Sequence, residues 1–75
     1  MKSYLIKNMI IDDDFYGEET VTAGFTHNNQ DYSISFNKAD MELINIWVFA
    51  NETSVPAHLS DAMIDSLRED VGKLI

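Results

Sequence analysis

The sequence predicts an α+β domain: a small antiparallel sheet of about four strands followed by one C-terminal helix, in β-β-β-β-α order. Three observations lead there. Residues 20–26 and 31–36 alternate apolar and polar side chains with a period of two, the signature of strands with one buried face. Asparagines lie between those two runs, and asparagine tolerates the positive φ that tight turns need. From residue 59 onward the period changes, and Leu59, Met63, Leu67, Val71 and Leu74 recur at helical spacing.

Taken in order, Tyr4 to Ile11 is apolar and partly β-branched and reads as a first strand. Its alternation slips around Asn8, where Ile6 is followed by Met9 and Ile11, and one inserted residue, a β-bulge, restores the register. The segment Asp12 to Glu19 holds Asp12, Asp13, Asp14, Glu18 and Glu19 around Phe15, Tyr16 and Gly17, which is loop chemistry. Thr20 to Thr26 and Asp31 to Phe36 then form a hairpin across a four-residue loop, His27-Asn28-Asn29-Gln30. Val21, Ala23 and Phe25 form the apolar face of the first of these strands, and Tyr32, Ile34 and Phe36 that of the second.

Asn37 to Asp40 reads as a second turn, and Met41 to Ala50 as a fourth strand. One parity of that strand carries Ile44, Ile46 and Val48. The other carries Leu43, Trp47 and Phe49, interrupted by Asn45. Apolar residues on both parities predict a strand covered on both sides. Asn51 to Ser54 is a polar break, after which Pro56 and Ala57 open the helical stretch. Ser54 and Ser60 are the candidate N-caps, since a hydroxyl there accepts a first-turn N–H. Gly72 predicts fraying or an early helix end. The outward side of the helix carries Asp61, Asp65, Arg68, Glu69 and Lys73.

A chain of 75 residues is one domain, residues 1–75. It has no cysteine, which removes disulfides and thiolate metal sites as sources of stability. No segment reaches the ~20 apolar residues that span a bilayer, and the first residues lack the long apolar core of a secretory signal. The chain therefore reads as cytoplasmic. Thirteen acidic residues against five basic ones give a net charge of −8. That field repels nucleic acid and anionic membranes and attracts basic protein surfaces.

Three chemical motifs fail on spacing. Asp12, Asp14 and Gly17 match the first, third and sixth positions of a calcium loop, but Tyr16 and Ala23 stand where ligands five and twelve belong. His58, Ser60 and Asp61 are the residue types of a hydrolase triad. As neighbours at one helix start they do not converge on a substrate from separate elements. Nearly all the carboxylates fall on loops and on the outward helix face, away from any pocket that shifts one of them for acid–base work. The expectation is a protein with no catalytic, cofactor or metal site.

Two features remain. One is the acid, Asp12, Asp13, Asp14, Glu18 and Glu19 in one loop and Asp61, Asp65, Glu69 and Asp70 along the helix, which form a continuous anionic surface if loop and helix lie on neighbouring faces and whose carboxylates can stand in for phosphates. The other is the aromatic surplus, Trp47 and Phe49 above all, of the kind that enriches interface cores. Size, charge and the lack of catalytic residues make the chain similar to a class of small acidic inhibitors from phages and mobile elements, the DNA mimics and anti-CRISPR proteins. The similarity is one of class and rests on no motif. It implies a protein that inhibits or modulates a basic, nucleic-acid-handling partner. The alternative is an accessory protein that forms a homodimer through its apolar sheet face.

Overall fold

The computed structural model describes residues 4–13 and 19–74. Five strands precede one helix: β1 (Tyr4–Asp13), β2 (Glu19–His27), β3 (Gln30–Asn37), β4 (Leu43–Ala50), β5 (Thr53–Pro56) and α1 (Asp61–Leu74). The strands pair antiparallel in chain order, so the sheet is a simple meander. The predicted fold class holds, with one strand more.

That extra strand, β5, falls where the sequence reads as a polar break and a helix start. Asn51 and Glu52 take φ values of 53° and 65°, and Ala50 pairs with Thr53 across them. Two consecutive left-handed residues make the type I′ turn whose twist matches that of paired strands, so the chain returns along β4. Pro56 ends β5 opposite Trp47, on a sheet edge where its missing N–H interrupts no ladder. The helix therefore starts later than Pro56. Ser60 is its cap, its Oγ accepting the Met63 N–H at 3.2 Å. Ser54 lies in β5.

The β2–β3 hairpin is tighter than a four-residue loop. His27 pairs with Gln30, leaving only Asn28 (φ 52°) and Asn29 (φ 62°) in a second I′ turn. In β1 the register shifts between Ile6 and Asn8, so Lys7 is the inserted residue. Ile6, Met9 and Ile11 then share a face. The Asn8 side chain fills the gap, its Oδ1 accepting the Gly24 N–H at 3.1 Å. A Cβ at Gly24 would come within 2.4 Å of that oxygen, so the position excludes larger residues in this arrangement.

A second shift lies in β4. Ser35 pairs with Asn45 but Phe36 pairs with Leu43, which leaves Ile44 as the inserted residue. This corrects the parity read from the sequence: Leu43 joins Ile46 and Val48 on the core side, and Ile44 is exposed. The β3–β4 connection spans residues 38–42, beginning one residue and ending two residues beyond the turn expected at 37–40. Met41 adopts φ 57° there, and the Arg68 Nε donates to its carbonyl at 2.8 Å, tying the loop to α1.

The core forms between one sheet face and α1. Val21, Ala23, Phe25, Ile34, Phe36 and Ile46 from the sheet meet Leu67 and Val71 from the helix, with Met63, Ile64 and Leu59 partly buried around them. Tyr4 latches β1 to the helix, its hydroxyl reaching Ser66 Oγ at 2.8 Å and the Asp70 carboxylate. Two expectations for the helix change. It runs past Gly72 to Leu74, and Leu74 is exposed rather than packed. Among the described residues no helix is long and apolar enough to cross a membrane.

Candidate functional site

The helix covers one face of the sheet and leaves the other open. Residues opposite one another in an antiparallel ladder share a face, so the registers define what the open face presents. One row crosses Leu5, Thr26, Asp31, Phe49 and Ser54. The next crosses Asn8, Gly24, Ser33, Trp47 and Pro56, then Ile10, Thr22, Ser35 and Asn45, and finally Asp12, Thr20 and Asn37.

Large apolar groups stand on β1 and β4, while β2 and β3 between them carry small ones. Leu5 and Ile10 are 69% and 62% exposed; Trp47 and Phe49 are 37% and 54% exposed. Thr22 and Ser35 join hydroxyls at 2.9 Å across the low floor. A hollow of about 320 Å³ opens over Gly24, bounded by Asn8, Ile10, Ser33 and Phe49. At one end Lys7 reaches Asp31 at 3.2 Å. Trp47 and Phe49 are thus not core, and β4 is not covered on both sides by the described residues. One helix shields one face only, and no other described element crosses the second.

Of the acidic residues singled out in the sequence, Asp12 lies on this open face and is exposed. Glu19 starts β2 and pairs with Lys38 at 2.8 Å. Asp61, Asp65 and Glu69 lie exposed along α1, with the sheet between them and the open face. Asp65 holds Arg68 at 2.6 Å and Glu69 holds Lys73 at 3.3 Å. Asp14 and Glu18, the Asp13 side chain, Phe15 and Tyr16 fall outside the described residues, as do residues 14–18 of the calcium-loop segment as a whole. The structure thus places Asp12, Trp47 and Phe49 on one face, with Asp12 and Phe49 at opposite corners of it, and separates them from the helix carboxylates.

Leu5, Ile10 and the Ser/Thr floor were not singled out from the sequence. The threonine parity of β2 signals the floor, but placing Ile10 opposite it requires knowing that Lys7 is the bulge. His27 contacts Asn28 and stacks at a tilt near Tyr32, with ring centroids 5.9 Å apart. Ser60 is engaged in capping. Among the described residues no group of three His, Asp or Glu side chains is placed to hold a metal ion. No protein-family model matches the chain, and neither a curated protein nor a solved structure is found similar to it.

Proposed function

We propose that this protein is a non-enzymatic binding protein that inhibits or modulates a basic, nucleic-acid-handling protein through its anionic surface. One observation carries the reading: each described basic side chain is held by an acid of the same chain. Lys7 pairs with Asp31, Lys38 with Glu19, Arg68 with Asp65 and Lys73 with Glu69. Asp12, Glu42, Glu52 and Asp61 are exposed and have no such partner among the described residues. The surplus of acid therefore faces outward with no free cationic patch beside it among the described residues, which favours a partner of opposite charge and steers its approach.

The test uses two sets of amide variants, Asp12, Asp13 and Asp14 to Asn, and Asp61 and Asp65 to Asn with Glu69 to Gln. Immobilised wild-type protein should retain a basic nucleic-acid-binding protein that double-stranded DNA displaces, and at least one set should lose it. Retention that neither set nor added salt reduces would overturn the reading.

A second reading, homodimerisation through the sheet face, is supported by the exposure of Trp47 and Phe49. Contiguous exposed apolar surface of this kind marks interaction sites. Sedimentation equilibrium separates the two readings.

A further inference from the structure

The open face has the shape of a trough, and we infer that it seats an amphipathic, basic α-helix from another protein. The inference rests on the preceding reading for the sign of the partner's charge alone. Its shape argument is independent.

The walls stand on β1 and β4, three strand spacings apart, which is about 14 Å. Leu5 and Ile10 form one wall, Trp47 and Phe49 the other, all exposed. The floor between them is low at its centre, where β2 and β3 place Thr22, Gly24, Ser33 and Ser35. Asp31, reached by Lys7 across β2, stands at the Phe49 end, and Asn37 stands at the Asp12 end. Gly24 lines the hollow without a side chain of its own, and the Asn8 side chain lies against it. An α-helix with its side chains is about 10–12 Å across, so it fits between the walls. From the Leu5 row to the Asp12 row the trough runs about 20 Å, which matches a helix of about 14 residues at 1.5 Å per residue. Apolar side chains on the underside of that helix would bury the walls, and the Ser/Thr floor lets its backbone approach closely.

Charge selects the occupant. Asp12 marks one end of the trough, and Glu52, in the turn that follows Phe49 and Ala50, marks the other. Both are exposed and neither has an ion-pair partner among the described residues. Lysine or arginine at the two ends of a seated helix would meet them. A second copy of this chain would instead bring a charge of −8 against −8, with Asp12 and Glu52 unanswered on both copies.

Trp47 is the only tryptophan in the chain and stands in the wall, so its fluorescence reports occupancy. The probe is a synthetic peptide of about sixteen residues, leucines on one helical face and lysines on the flanks. Controls are the same composition scrambled and a version with glutamate for lysine. The Leu/Lys peptide should shift Trp47 emission to the blue in a saturable way and gain helicity by circular dichroism. Phe49→Ala should weaken it about tenfold, as loss of an aromatic anchor does. Ser33→Arg, which fills the floor, should weaken it as well, and both variants are checked for unchanged far-ultraviolet spectra and melting. Asp12→Asn with Glu52→Gln should weaken it and flatten its salt dependence. An equal response to the scrambled peptide overturns the helix seat while leaving the charge reading standing. An equal response to the glutamate peptide overturns the basic occupant and counts against both. A dimer in sedimentation that Phe49→Ala dissolves assigns the trough to a second copy and overturns the inference.

Discussion

Single residues in this fold carry two distinct kinds of stability. Leu67 is fully buried between α1 and the sheet, and Leu67→Ala is expected to cost about 2–5 kcal/mol, transfer and cavity contributions together. Denaturant melts followed by far-ultraviolet circular dichroism measure it, and a loss below about 1 kcal/mol would mean that the helix is not the lid of the core. Glu52 is the opposite case. It has φ 65°, a left-handed conformation that costs a side chain about 1–2 kcal/mol relative to glycine. It is exposed and forms no ion pair among the described residues, so Glu52→Gly should stabilise the protein by about 0.5–1 kcal/mol after glycine's greater freedom in the unfolded chain is subtracted. The comparison of wild-type and variant melts decides the sign. Gly72 offers the same gain at the far end of the molecule. A Cβ there meets nothing within 4 Å, and alanine is favoured over glycine in a helix by up to about 1 kcal/mol.

At the scale of elements, each bulge decides which side chains face the core. Lys7 is the inserted residue of β1, and its neighbours Ile6 and Asn8 face consecutive partners, Phe25 and Gly24. Deleting Lys7 would close the bulge and leave Tyr4 to Ile6 opposite the same residues, at the cost of one exposed ion pair worth about 0–1 kcal/mol. Deleting Leu5 would instead move Tyr4 one place along the ladder and turn it outward, because side chains alternate faces. The Tyr4 hydroxyl would then leave Ser66 and Asp70. Denaturant melts should show a larger loss for the Leu5 deletion than for the Lys7 deletion, and equal losses would show that the Tyr4 contacts contribute nothing. The helix depends on its first turn. Ser60→Ala removes the acceptor of the Met63 N–H and should cost about 0.5–2 kcal/mol, whereas Ser54→Ala, in exposed β5, should be nearly silent.

For the whole molecule, the magnitudes favour repulsion over pairing. The four ion pairs among the described residues are exposed, and such pairs contribute about 0–1 kcal/mol each and weaken with salt. Against them stands the mutual repulsion of a chain with net charge −8, which salt also screens within about 10 Å at 0.1 M. Repulsion involves every acid on the surface and the pairs involve four. The melting temperature should therefore rise as sodium chloride is added from low ionic strength, and a fall would show that the pairs dominate. The same balance bears on function. Amide substitution of Asp61, Asp65 and Glu69 should leave the fold within about 0.5 kcal/mol of wild type, so any loss of partner binding reports charge at the interface.

The sequence by itself determined the alternation of β2 and β3, the helical stripe of Leu67 and Val71, the slip around Asn8 and the acidic field, because each is written in side-chain type and short-range spacing. It also named Trp47 and Phe49 as an aromatic surplus. Only the tertiary structure decided that these two stand in the open. Parity along a strand says that residues share a face, but not which face a distant helix will cover. The same limit hid β5: Thr53 to Pro56 has no apolar period of its own. It is a strand because a two-residue turn at Asn51 and Glu52 folds it back onto β4. Leu43 changed sides for a related reason. Its face depends on the bulge at Ile44, and a bulge becomes visible only when the partner strand supplies the register.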